Sequence, residues 1–229
     1  MPTSALRSLL ITIDGPAGAG KTTVSKMLAV RLGYRYLDTG ALYRAVAYQA
    51  RAAGIRVDDD RALAALCQTL RLRMDGGRML ADGVDIGGLI RSPEIAMLAS
   101  AVSARPAVRQ ALLKIQREMG AAGDLVAEGR DMGTVVFPDA DLKFFLDASV
   151  CQRARRRFDQ YGDTGPQTLE QIEADIRRRD RNDRSRAVAP LVPAVDALII
   201  DSTAMTARAV VDQMMASVRS CRKRPGAPR

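Results

Sequence analysis

Gly15-Pro16-Ala17-Gly18-Ala19-Gly20-Lys21-Thr22 follows directly on the apolar run Leu9-Leu10-Ile11-Thr12-Ile13, and this junction decides how the chain folds. The octet fits the phosphate-loop pattern of a glycine, four residues, a second glycine, a lysine, and then serine or threonine. The β-branched run before it predicts a buried parallel strand, and Thr22 to Leu32 predicts a helix. Strand, loop and helix in that order are the context the pattern needs. Gly15, Gly18 and Gly20 permit positive φ and add no side-chain bulk, so backbone N–H groups can turn inward onto an anion. The helix start adds partial positive charge, and Lys21 can reach the outer phosphates of a nucleoside triphosphate. The Thr22 hydroxyl stands where a magnesium ligand belongs, and Pro16, Ala17, Ala19 and Thr23 complete the donor-binding set.

Outward from the loop, Tyr34 to Leu37 reads as a short strand and Ala41 to Gly54 as a helix that Gly54 stops. A second helical stretch covers Asp58 to Leu70. The period then changes to two, around the Asp75-Gly76-Gly77 and Asp82-Gly83 turns, which predicts small antiparallel strands foreign to a βαβ pattern. Helices follow from about Ser92 and from Pro106, a favoured first helical position. Apolar strands return at Leu125-Val126-Ala127, at Leu142 to Leu146 and at Ala197 to Ile200. The gaps read as helices: Ser149 to Tyr161, Thr168 to about Arg184 (opened by the capping box Thr168-Leu169-Glu170-Gln171) and Thr206 to Arg219. Alternating strands and helices make this an α/β chain with a parallel sheet covered on both faces, and the hairpin region near 70–90 is an insertion.

Composition narrows the function. The 229 residues suit one domain, 1–229, and no segment approaches a membrane span. The leader to Ser8 lacks the features of a signal peptide. Cys67, Cys151 and Cys221 are scattered and odd in number, which fits a reduced, cytoplasmic compartment and neither a disulfide framework nor a zinc site. Histidine is absent, so histidine-based nucleophilic triads are excluded and any proton transfer must use a carboxylate or a phosphate oxygen. The net charge of +9 invites a nucleic-acid reading, yet only Lys21, Lys26, Lys114, Lys143 and Lys223 are lysines. Arginine forks suit individual phosphates, and part of the charge sits in the basic tail, 222–229.

Ligands gather at the carboxyl ends of parallel strands. There the chain places Asp38 and Thr39, with Arg44 one turn into the next helix, and the run Glu128-Gly129-Arg130-Asp131. The stretch Arg177 to Arg186 is denser. If it is helical throughout, Arg179, Asp183 and Arg186 share a face at i, i+4 and i+7. Arg153, Arg156 and Arg157 share a face on the preceding helix. Arginine-rich helices usually present a solvated face. Two such faces beside a phosphate loop answer a different need, because one lysine with magnesium cannot balance a triphosphate and a second phosphate together.

Four segments resemble bacterial cytidylate (CMP) kinases: Gly15 to Lys21, Leu37-Asp38-Thr39-Gly40-Ala41-Leu42-Tyr43-Arg44, Gly129-Arg130-Asp131-Met132-Gly133-Thr134-Val135-Val136-Phe137-Pro138, and Arg186-Ala187-Val188-Ala189-Pro190-Leu191. The resemblance runs from about Leu10 to the last helix. It implies a P-loop kinase with a five-stranded parallel sheet flanked by helices, a small antiparallel-sheet insertion that binds the nucleoside monophosphate (about 62–105) and a lid over ATP (about 153–168). The residues matching Arg44, Arg130 and Arg186 would hold the CMP phosphate, and those matching Arg179 and Asp183 the ribose side. Ser100, Arg109 and Asp131 would read cytosine. Glu128 departs from the pattern, standing where aspartate is expected, and Thr39 stands where serine is also common.

The implied reaction moves the γ-phosphoryl of Mg-ATP to CMP or dCMP, with UMP a weak substrate. Lys21, Arg130, Asp131, Arg156 and Arg186 form the catalytic set, and Arg153 and Arg157 join the loop at ATP. The protein would be a monomer with Mg²⁺ as cofactor, ATP, CMP and dCMP as small-molecule partners, and no nucleic-acid or membrane partner. Kinases for UMP, AMP, dTMP or shikimate would share the loop but lack the cytosine-reading set. A nucleotide switch or RNA-binding protein is opposed by the lack of an Asn-Lys-x-Asp signature and of an arginine–aromatic platform.

Overall fold

The computed structural model describes residues 8–75, 77–161 and 167–223. The expectations for the leader before Ser8, for Gly76 in the hairpin turn, for 162–166 of the lid and for 224–229 of the tail lie outside the described residues. In chain order the elements are β1 (Leu10–Asp14), α1 (Lys21–Leu32), β2 (Arg35–Asp38), α2 (Thr39–Ala52) and α3 (Asp60–Thr69). Next come β3 (Leu72–Asp75), β4 (Arg78–Ala81), β5 (Val84–Asp85), α4 (Pro93–Val102) and α5 (Pro106–Gly120). The chain continues with β6 (Leu125–Gly129), β7 (Leu142–Asp147), α6 (Val150–Tyr161), α7 (Leu169–Ser185), β8 (Leu198–Asp201) and α8 (Ala207–Lys223).

Five strands form one sheet in the order β2-β6-β1-β7-β8, every pairing parallel. β1 sits at its centre, and Ile11, Thr12 and Ile13 are fully buried, as a strand covered on both faces requires. Successive residues of a strand face opposite sides, so Leu125 and Ala127 of β6 join one core layer while Val126 joins the other. The first layer packs α2, α4 and α5 on the sheet through Leu42, Val46, Ile95, Ala99, Val108 and Leu112. The second packs α1 and α8 through Val24, Leu28, Val210, Val211 and Met214. In β1 and β6 the register pairs Asp14 with Gly129, so both strands end level at the same edge.

The small antiparallel sheet β3-β4-β5 is the expected insertion. Its β4–β5 turn is Asp82-Gly83, with φ of 49° and 86°, the positive pair that a tight hairpin requires. The Thr168–Gln171 capping box closes the start of α7 as the spacing predicts. Two features were not anticipated. Residues Met132–Val136 form a single π-helical turn, and Leu89–Arg91 a short 3₁₀ turn. One expectation is corrected. α7 stops at Ser185, and Arg186 has an extended backbone (φ −64°, ψ 139°), so Arg186 does not continue the helical face of Arg179 and Asp183. Ala189, directly before Pro190, has a φ of 50°, outside the right-handed helical region, and the Leu191 amide returns to the Asp183 carbonyl at 2.8 Å, which ends the helix.

Candidate active site

A cavity of about 600 Å³ opens at the carboxyl edge of the sheet, with the loop of 17–20 and the start of α1 on one side and the arginine-rich cluster on the other. Gly15 is obligatory, because a Cβ there would lie 1.9 Å from the Leu146 carbonyl oxygen and its φ is +147°. Gly20, in the left-handed region, precedes α1 without any side-chain cap, which leaves the first amides of the helix directed at a ligand. Lys21 is buried, and its Nζ donates to the Pro16 carbonyl at 2.8 Å. Burial, and then the Arg130 charge, hold its ammonium well below the usual lysine range. An anion arriving in the loop relieves both effects.

The second half of the site is a lattice of ion pairs. Asp38 caps α2 through the Ala41 amide (2.9 Å) and accepts from Arg44 (2.9 Å). Asp131 pairs with Arg109, both buried, and Arg109 also donates to the Ser103 carbonyl at 3.2 Å. Asp183 accepts Arg130 Nε at 2.8 Å and the Ser100 hydroxyl at 3.1 Å. Burial pushes the Asp183 carboxyl up, but Arg130 and Arg179 outweigh it and hold it below the ordinary carboxylate range. Arg179, pressed by burial and by Arg130, falls to about 9. Burial also lowers Arg186, opposed by Asp131. Arg44 Nε, Arg179 Nε and one Arg186 terminal nitrogen are buried without a hydrogen-bond partner. Guanidinium groups gathered at one cavity suit an anion.

The structure brings together at this cavity Ala17, Gly18, Ala19, Gly20, Lys21, Thr22, Thr23, Asp38, Thr39, Arg44, Ser100, Arg109, Arg130, Asp131, Arg156, Arg157, Arg179, Asp183 and Arg186. Gly15 and Pro16 lie behind the loop they shape. Arg153, expected at ATP, does not line the cavity. It is 2% exposed and spends its fork on Asp180 and on the Ala17 and Ala148 carbonyls. Spacing put it on a face with Arg156, but Arg153 itself is buried between the loop, at the Ala17 carbonyl, and α7, at Asp180.

Several residues escaped the sequence reading. Asp14, buried, accepts the Met132 and Gly133 amides at 2.8 Å each and so anchors the π turn behind Asp131. Burial raises its carboxyl to about 6 against the pull of those two hydrogen bonds. Tyr36 donates to Glu128, and Tyr43 lies under Arg109, 5.9 Å from ring centroid to guanidinium carbon. Ser202 receives Arg156, which also donates to the Ala19 carbonyl at 3.3 Å. A polar residue that ends a strand, such as Asp14 or Ser202, carries no periodic signal; only its place at the sheet edge could have flagged it.

Magnesium fits the donor set in a limited way. Among the described residues no group of three carboxylate, cysteine or histidine side chains is placed to cage a metal. The exposed Thr22 and the buried Glu128 both line the cavity. Burial, and then Asp38, raise the Glu128 carboxyl, a cost that a nearby cation would offset. Magnesium commonly keeps several waters and binds through substrate phosphates with one or two protein oxygens, which is what this set offers.

The family model for cytidylate kinases matches residues 11–220. The chain is 50% identical to the cytidylate kinase of Citrifermentans bemidjiense over 223 residues, covering 94% of this chain and 96% of that one. It is 48% identical to the cytidylate kinase of Geobacter sulfurreducens over 233 residues, covering 99% and 100%. A crystal structure of an uncharacterized protein from Eubacterium ventriosum superimposes with a TM-score of 0.52 at 12% identity, covering 93% of this chain and 99% of that one, which speaks for the fold alone. A phosphate loop facing a lattice of arginines and carboxylates, in a sequence so matched along nearly its whole length, leaves one assignment: the chain belongs to the cytidylate kinase family.

Proposed function

We propose that the chain transfers the γ-phosphoryl group of ATP, bound with magnesium, to CMP or dCMP, giving CDP or dCDP and ADP, as a cytoplasmic monomer with no nucleic-acid or membrane partner. Family membership makes it a CMP-phosphorylating kinase. The observation that carries the detailed reading is that the loop and the arginine–carboxylate lattice face each other across one cavity.

The attacking atom is an oxygen of the CMP phosphate, already anionic near neutral pH, so no strong general base is needed. That oxygen forms a bond to the γ-phosphorus as the bond to the β–γ bridging oxygen breaks, and ADP leaves with the electron pair. Catalysis is then positioning and charge neutralisation. The α1 amides and Lys21 hold the donor phosphates. Arg156 and Arg157 approach from α6, and Arg44, Arg130 and Arg186 aim the acceptor. Ser100, Arg109 and Asp131 read cytosine, while Arg179 and Asp183 hold the ribose side. Magnesium would supply charge neutralisation to the transferring phosphoryl group, and Thr22 with Glu128, directly or through water, would hold it. Residues of about 62–105 serve the monophosphate and those of about 153–168 serve as a lid that keeps water from the γ-phosphate.

Coupled ADP release with CMP, dCMP, UMP, AMP and dTMP tests this reading. CMP and dCMP should lead, with UMP lower by about ten- to a hundredfold in kcat/KM. A lead for AMP or dTMP would overturn it.

A further inference from the structure

The pair Arg153–Asp180 lies outside the cavity, yet it touches both halves of it. Arg153 Nη1 and Nη2 meet Asp180 Oδ1 at 3.0 Å and Oδ2 at 2.6 Å, Nη1 also meets the Ala17 carbonyl at 3.0 Å, and Nε meets the Ala148 carbonyl at 2.8 Å. Both side chains are buried, at 2% and 9% exposure. The loop packs on this residue without slack, since a Cβ on Gly18 would stand 3.1 Å from Arg153 Cβ. On α7, Asp180 directly follows Arg179 and precedes Asp183 by three residues, and both neighbours line the cavity. An isolated buried ion pair is a weak source of stability, because well-packed apolar residues of similar volume do as well. A planar fork serving four acceptors at once is a good transmitter, because it cannot tilt toward one partner without misaligning the rest.

We propose that Arg153 and Asp180 are positioning residues that couple the two nucleotide sites. Triphosphate in the loop fixes the Ala17 carbonyl, the carbonyl fixes the fork, and the fork fixes α7 with Arg179 and Asp183. Acceptor binding then meets a site already set. The proposal rests on the reading of ATP and CMP as the two ligands.

Calorimetric titration of CMP, with and without a non-hydrolysable imido analogue of ATP plus magnesium, reads the coupling. In the wild type the analogue should tighten CMP by about fivefold or more. In Asp180→Asn, and in the double replacement Arg153→Met with Asp180→Leu, which leaves no orphaned charge, that factor should fall to near one in protein that still unfolds cooperatively on heating. A purely structural pair would shift the melting temperature and leave the factor unchanged. In parallel, hydrogen exchange on the wild type should show added protection across Ile176 to Asp183 with the analogue alone, a measurement that does not depend on any variant folding. A wild-type factor of one, a folded double variant with full coupling, or unchanged α7 exchange would each overturn the strut. If CMP fails to bind the wild type at all, it is the assignment of the acceptor that fails.

Discussion

Asp131 and Arg109 form a buried ion pair on the floor of the cavity, with Arg186 standing 3.9 Å from the other oxygen of the same carboxylate. One acid between two guanidinium groups is held in place before any base arrives. Cytosine offers an amino donor at N4 where uracil offers an acceptor. A carboxylate accepts from the first and faces the second lone pair to lone pair.

Asp131→Asn should therefore lower kcat/KM for CMP by about ten- to a hundredfold while costing UMP little, since an amide can turn a donor toward uracil O4. Both substrates are measured in both proteins. If the CMP-to-UMP ratio does not fall, Asp131 is not the reader of the base.

Lys21→Ala should reduce turnover by about a hundredfold or more, in line with the loss of one preorganised charge stabiliser. The fold should persist, because burial opposes the Lys21 charge more than any other effect and offsets the loss of its bond to the Pro16 carbonyl and of its attraction to Glu128 and Asp14. Melting temperature and turnover, determined on the same preparation, decide the matter; turnover near the wild-type value would remove Lys21 from the donor site.

Arg186→Ala should raise KM for CMP by roughly 10- to 150-fold, the equivalent of one charge-assisted hydrogen bond, with KM for ATP nearly unchanged. Binding of cytidine, which lacks the phosphate, should be almost unaffected by the substitution. Equal losses for cytidine and CMP would show that Arg186 does not hold the phosphate.

Asp14 gives the fold a pH dependence of definite sign. Its carboxyl sits near 6 in the folded chain against an ordinary value of 3.8, so between those values the folded state binds the extra proton. Stability from this group is complete below about 4 and is lost as pH rises through about 6, by on the order of 3 kcal/mol. Urea unfolding of wild type and Asp14→Asn at pH 4.5 and 6.5 isolates the effect, because other groups cancel in the difference. The wild type should lose ground relative to the variant at the higher pH, and a flat difference would show that Asp14 keeps an ordinary titration.

The sheet and the donor loop were legible because both rest on local rules: an apolar strand, glycines where φ must be positive, and a helix with a lysine at its start. The gathering of Arg130, Asp131, Arg179 and Asp183 at one cavity was legible from their places at a strand end and on one helix face, and by resemblance. The geometry behind it was not. Nothing in the sequence tells Arg153, buried on Asp180, from Arg156, which reaches the cavity from the next turn of α6. Facing along a helix follows from spacing, whereas the depth of each turn depends on what packs against it. The π turn at Met132–Val136 is invisible for a related reason. It is held by Asp14, which lies 118 residues away in sequence from Met132.

The pairing of Asp14 with Gly129 has a mechanical meaning. The phosphate loop departs from one of these residues and Arg130 follows the other, so the two halves of the cavity begin level with each other on neighbouring strands about 4.8 Å apart. A slip of one residue in that ladder would displace Arg130 by about 3.3 Å and turn alternate side chains to the wrong face. The spacing between the two halves of the cavity is thus cut into the backbone hydrogen bonds of the sheet.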